Sequence, residues 1–254
     1  MRSLKIIAGL LVLALAAAVL FAWTLPADVG YRYGARWLGP VVLSGVSGTI
    51  WNGHADGVSV FGRDLGELDW HARKFPVLGG RFVADVRVTG ADVEAAGEIA
   101  RSAGSIDAHD VRFSLPAALL EPMLDLDGLH LAGTIGGVVA EVALAQGRLA
   151  AASGSARWTG AGVSGAAEAR FSDILADFAM QPDGSIAGTV HDDGHGNLAV
   201  DGRFSARLAA FDVTADLRAR NGDAQVVAAL RHIGEPQADG SSKLVVHGPV
   251  LKLF

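Results

Sequence analysis

The chain has 254 residues, half of them hydrophobic, a formal net charge of −6 and no cysteine. The missing thiols exclude a body stapled by disulfides, so a hydrophobic core has to hold it. The acidic balance speaks against nucleic acid or an anionic lipid surface as the partner of the whole chain.

Residues 1–5, with Arg2 and Lys5, precede an uncharged apolar run from Ile6 to Trp23. As a helix that run spans roughly 27 Å, enough to cross a bilayer. The basic residues on its amino side orient it with residues 1–5 in the cytoplasm and residues 24–254 across the membrane. Trp23, Tyr31, Tyr33 and Trp37 suit the far interface. A cleavable signal peptide ending near Ala16-Ala17-Ala18 is the competing reading. The apolar run continues past that point to Trp23, which favours a retained anchor.

The chain has 33 glycines, and those beyond the anchor are spread along it and divide it into short segments that alternate with a period of two. In "VSGTIWNGHADGVSV", Val46 to Val60, two strands are expected to meet at Asn52-Gly53, a favoured type I′ pair. The stretch holds no lysine or arginine and lacks the spacing of a phosphate loop. In Arg81 to Thr89, Phe82, Ala84, Val86 and Val88 share one face and Arg81, Asp85, Arg87 and Thr89 the other, which reads as a half-buried strand. Between Ile106 and Leu115 the apolar phase slips, which predicts a bulge or bend near His109-Asp110.

Pro116 to Glu121 reads as a short helix that Pro122 stops. Asp125 and Asp127 could be paired acids, although Asp127-Gly128 before a strand is more simply a turn. Strand alternation returns at Leu129-Leu131-Gly133-Ile135, at Phe204-Ala206-Leu208 and at Val213-Ala215-Leu217-Ala219. A looser copy of the first glycine-rich stretch, "ASGSARWTGAGVSG", runs from Ala152 to Gly165 and repeats Trp-x-Gly at Trp158, which suggests two related halves. The run "HDDGHGN", His191 to Asn197, offers two imidazoles and two carboxylates, a possible metal set. Its Asp-Gly and Gly-Asn pairs between alternating segments read better as a solvated turn. A second helix is expected over Ala224 to Ile233, capped by Asp223 and closed by Gly234, with Val226, Val227, Leu230 and Ile233 on one face. A strand over Gln225 to Leu230 is the alternative.

The fold class that follows is mainly β: one N-terminal transmembrane helix, then a curved antiparallel sheet with one or two short helices, in a single unit spanning 24–254. No nucleophile elbow or carboxylate pair aimed into a cleft is recognisable, His54 and His71 look like ordinary strand or loop residues, and neither a cofactor nor a resident metal is called for.

The succession "LPA" at Leu25, "LSGVSGTIWNG" at Leu43, "LGELDW" at Leu65, "SLPAALL" at Ser114, "RWTGAGV" at Arg157 and the closing "ALRHIGEPQADGSSKLVVHG" resembles protein N of the bacterial type II secretion system. The resemblance implies a non-enzymatic inner-membrane protein without cofactor. Its periplasmic domain would work with the platform subunits and the outer-membrane secretin that export folded proteins.

A strand-rich body with free edges suits a scaffold, since an edge can accept a neighbour's strand. The candidate contact residues are Trp51, Asn52 and Gly53 in the hairpin and Val226 and Leu230 in the helix, although tryptophans are more often core anchors. The alternative is an anchored carrier of lipid or another apolar molecule in an open β-groove. An apolar face left open as a trough favours the carrier, and one packed shut favours the scaffold.

Overall fold

Glycine turns between alternating segments lay the chain down as consecutive antiparallel strands. The computed structural model describes residues 24–60, 62–123, 128–207 and 210–248. Helix α1 (Ala27–Gly34) leads into β1 (Val41–Ser44), β2 (Ser47–Gly48), β3 (Asn52–Val60) and β4 (Arg63–Arg73). A 3-10 turn at Phe75–Gly79 precedes β5 (Phe82–Thr89), β6 (Glu94–Arg101) and β7 (Ser105–Pro116). The longest pair is β8 (Leu129–Ala145) with β9 (Arg148–Gly165). After them come β10 (Ala169–Arg170), β11 (Ile174–Met180), β12 (Ile186–Asp192), β13 (Leu198–Ala206) and β14 (Phe211–Ala219). Helix α2 (Ala224–Leu230), β15 (Glu235–Pro236) and β16 (Ser242–Gly248) complete the described chain.

All of these strands form one 16-stranded sheet, ordered β1-β3-β4-β5-β6-β7-β8-β9-β11-β12-β13-β14-β16-β15, with β2 on β3 and β10 on β9 as short additions. The two edges do not meet, so the sheet is open, and twisted open sheets of this width curl. The expected mainly β, antiparallel architecture therefore holds; of its two α-helices, α2 falls where a helix is expected and α1 where none is read from the sequence. The anchor from Ile6 to Trp23, the cytoplasmic residues 1–5, and Asp125, Asp127 and Leu208 lie outside the described residues. Among the described residues no helix is long and apolar enough to cross a membrane.

The phase slip at His109-Asp110 is a bulge. His109 pairs with Glu141 and Val111 with Val139, leaving Asp110 unpaired with a left-handed φ of 50°. Helix α2 also starts where expected, with Asp223 Oδ1 accepting the Gln225 and Val226 amides at 3.0 and 3.1 Å.

Three expectations need correction. Pro116 ends strand β7, and Ala117–Met123 forms a 3-10 helix rather than an α-helix over Pro116 to Glu121. Pro122 supplies no N–H and restricts Glu121, which leaves too little chain for i to i+4 bonding. The early hairpin does not turn at Asn52-Gly53: the turn lies at residues 49–51, Thr49 N–H bonds to Asn52 O at 2.8 Å, and Ser47 and Gly48 pair with His54 and Gly53. Thr49 Oγ1 accepts the Asn52 amide at 3.1 Å, so a threonine side chain closes the turn. The two Trp-x-Gly segments are not equivalent either, because Trp51 precedes β3 whereas Trp158 lies inside β9.

Register divides the sheet into two unlike faces. One cross-strand row runs Val139, Gly154, Phe178, Gly188, Phe204, Val213, Val246 from β8 to β16. The row one residue away, on the other face, runs His54, Asp69, Arg87, Ala96, Arg112, Val138, Ser155, Asp177, Thr189, Arg203, Thr214. One side is thus apolar nearly from edge to edge and the other largely polar.

The apolar side is sealed at one end. There α2 and the 3-10 helix after β7 cover Leu129, Leu131, Val163, Leu198, Val200 and Leu217 in a buried cluster centred on Val226 and Leu230. That cluster takes no member from β1 to β7. Farther along the same face Val86, Val111, Val139 and Phe178 are only half-buried, and Ile99 and Ile106 are exposed.

Candidate functional surfaces

The helix candidates from the sequence point inward. Val226 and Leu230 are 0% and 2% exposed, which makes them the centre of the core and no contact surface in this fold. Periodicity shows that a helix has an apolar face but does not show whether its own sheet or a partner covers it.

Trp51 is half-buried in the turn before β3, with the Lys74 ammonium 5.9 Å from its ring centre. Gly53 is the floor for Trp70: a Cβ at that position would fall on the Trp70 ring. The Trp70 indole N–H in turn donates to Ile50 O at 3.2 Å. The same ring-over-glycine packing recurs on the apolar face, where Phe113 lies on Gly137, Phe178 on Gly154 and Phe204 on Gly188.

Asn52 and Gly53 also line a concavity of about 860 Å³ on the polar side of β3 to β7. Its walls carry His54, Asp69, His71, Arg73, Asp85, Arg87, Glu98, Asp110 and Arg112. His54 Nδ1 lies 2.8 Å from Asp69 Oδ1, and Nε2 lies 3.4 Å from Asp56 Oδ1. The hydrogen bond that the ring donates to Asp69, with the charges of Asp69, Glu67 and Asp56, outweighs desolvation and raises the imidazole pKa above its ordinary value. Arg73 bridges two strands, with Nη2 3.1 Å from Asp85 Oδ1 and 2.7 Å from Glu98 Oε2. Arg87 and Arg112 flank Ala96 across three neighbouring strands, so a small residue separates the two arginines in that row.

Chemically this concavity is a mixed-charge surface of imidazole, carboxylate and guanidinium groups, and no serine, threonine, cysteine or lysine lines it. Sequence reasoning misses it. His54 and His71 are ordinary polar strand positions until register sets them beside Asp69 and Asp85 on neighbouring strands. The only signal in the chain is that β4 and β5 each put charged residues at alternate positions.

In the run from His191 to Asn197, His191 and Asp192 end β12 and residues 193–197 make the turn onto β13. Its carboxylates are engaged by the protein itself. The Asp192 side chain, 7% exposed, accepts the Gly194 and Val200 amides at 2.8 Å each and pairs with Arg220 at 2.8 Å. Burial opposes its ionisation, but these three donors prevail and lower its pKa. Asp193 accepts the His195 amide at 2.9 Å. Among the described residues no group of three or more His, Asp or Glu side chains is placed to hold a metal ion.

The sheet edges differ. On β1 the Leu43 amide donates to the Tyr31 hydroxyl at 2.9 Å, so α1 covers part of that edge. On β16 the short β15 pairs only with Ser242 and Lys243. Among the described residues no strand lies beside the outer backbone of Leu244–Gly248.

No curated protein and no solved structure matches this chain. The family model described as type II secretion system (T2SS), protein N, matches residues 39–245, from just before β1 into β16. With the meander and both of its faces inside that span, the chain belongs to the family of protein N of the type II secretion system.

Proposed function

We propose that this secretion-system component is a non-enzymatic scaffold, held in the bacterial inner membrane by Ile6 to Trp23, with residues 1–5 cytoplasmic and 24–254 in the periplasm. It would bring platform subunits, the secretin or both into register for export of folded proteins. The observation that carries the reading is the two-faced open sheet, whose apolar side is covered by its own helices at one end only. An apolar surface of that extent on an exported domain requires a cover. In a multi-subunit apparatus, neighbouring subunits are the natural one. The backbone of Leu244–Gly248 adds a second mode of contact, the addition of a partner strand.

The carrier reading gains support from one specific observation: the apolar face of the central strands is open, not filled by its own side chains. Against it, the concavity of about 860 Å³ lies on the opposite, polar face. An exposed apolar sheet offers a protein surface more contact than it offers a small ligand enclosure. Photo-cross-linking from Ile99 and Phe178 on the apolar face, and from His71 and Asp177 on the polar face, in membranes holding the assembled system separates the two. Platform or secretin subunits recovered from the apolar positions support the scaffold. Lipid alone from those positions would overturn it in favour of the carrier.

A further inference from the structure

We infer that the β4–β5 turn, residues 74–81, rests in the lipid interface of the membrane beside the point where the chain leaves it. In an antiparallel meander, turns alternate between two ends of the sheet. The β4–β5, β6–β7 and β8–β9 connections therefore share one end, opposite the end sealed by α2. The chain enters the sheet at that same open end: Ile50 N–H donates to Leu25 O at 3.1 Å, and Pro26 bridges Thr49. Trp51 O then accepts the Ala72 amide at 2.6 Å, and two residues beyond Ala72 the turn begins. The apolar run that ends at Trp23 thus leads directly to this corner of the protein.

The turn reads "KFPVLGGRF", Lys74 to Phe82. Phe75 is 82% and Leu78 88% exposed, and Val77 and Phe82 are exposed as well. Four large apolar side chains on one turn form a patch that water disfavours. Gly80, at a φ of 74°, ends the 3-10 turn and lets the chain reverse so that Phe75 and Leu78 stand at its tip. Basic residues bound this tip: Lys74 and Arg81 stand at the two ends of the turn, and Arg101 pairs across from Phe82 on the next strand. No acid lies between Lys74 and Phe82, although the whole chain is acidic. An apolar tip within a basic collar matches acyl chains below anionic phosphate headgroups, where lysine and arginine stems extend toward the phosphates.

The inference rests on Ile6 to Trp23 being a membrane anchor, and the test separates the two claims. The chain has no cysteine, so single-cysteine variants carry one probe each. Phe75→Cys, Leu78→Cys and, in the β5–β6 turn at the other end, Asp92→Cys are labelled in the full chain with a polarity-sensitive fluorophore. The labelled chains are reconstituted into vesicles of phosphatidylethanolamine and phosphatidylglycerol, with and without lipids bearing a nitroxide near the headgroup. The expected result is blue-shifted emission at 75 and 78, quenched by the nitroxide lipids several-fold more than at 92. Water-like emission at 75 and 78 from chains that co-float with the vesicles overturns the turn's placement and leaves the anchor intact. A blue shift without nitroxide quenching, lost on dilution of the protein in the bilayer, assigns the patch to a second copy and also overturns it. Failure to co-float overturns the anchor and the inference together.

Discussion

Gly136 and Gly137 are chain neighbours in β8 with opposite duties. A Cβ on Gly137 would strike the Phe113 ring and the Ser155 carbonyl, whereas one on Gly136 meets only Phe113 O, at an ordinary 3.6 Å. Gly137→Ala is expected to destabilise the sheet by about 1–3 kcal/mol, because backbone on one side and a ring on the other prevent relief. Gly136→Ala should leave stability unchanged or raise it by up to about 1 kcal/mol through the stiffer unfolded chain. Urea midpoints of the two variants check the contrast, and equal losses would remove the ring-over-glycine account. The second prediction at this scale concerns pH. His54 has its pKa raised, first by the hydrogen bond its ring donates to Asp69, so the folded state binds its proton more tightly than the unfolded state does. Its contribution is therefore fully present below the unfolded value, about 6.5, and is lost as pH rises through the raised folded value. NMR titration should find His54 titrating above its ordinary value in the parent chain, and Asp69→Asn should move the midpoint back down.

The elements show which information is local. The alternation in Arg81 to Thr89 suffices to place β5, because half-burial imposes a period of two on any strand with unlike faces. The bulge at Asp110 is legible for the same reason, since one inserted residue shifts the apolar phase. The cap of α2 at Asp223 is a short-range hydrogen bond between near neighbours in sequence. Asn52-Gly53 misleads because glycine has two uses: here it makes room for Trp70, a residue seventeen positions away that only the β3–β4 pairing reveals. The charged concavity is hidden for a related reason, because its pairs are made across strands and no local pattern reports register. Helix α2 is also where the third prediction belongs. Leu230→Ala removes from the sealed end the largest fully buried side chain among the described residues and is expected to cost about 2–5 kcal/mol. Calorimetry of the variant would show it, and a loss below 1 kcal/mol would mean that α2 does not hold the sheet's end shut.

Across the whole molecule the apolar face is unevenly covered, and that unevenness is measurable. Ile99 and Ile106 stand exposed on the open part of the face, away from the cluster around Leu230. Replacing both by serine should reduce the fluorescence of an apolar dye bound to the native chain while changing stability by no more than about 0.5 kcal/mol per site. If stability instead falls as far as it does for Leu230→Ala, the face is internally packed and the scaffold loses its docking surface. Membership of the secretion family gives such a surface a setting, but the face itself is written in the alternation of residues that each strand repeats.

Nearly every strand in this sheet bonds to the strand that precedes or follows it in the chain. Such a body can be built by accretion, each hairpin using the last finished strand as its template, with short loops to close at every step. A polypeptide threaded outward from its amino end could therefore mature progressively. Asp223 to Leu230 then plugs the far end, and β16, which follows it in the chain, adds to β14 beside that plug, so the sealed end is closed by the last elements to be made.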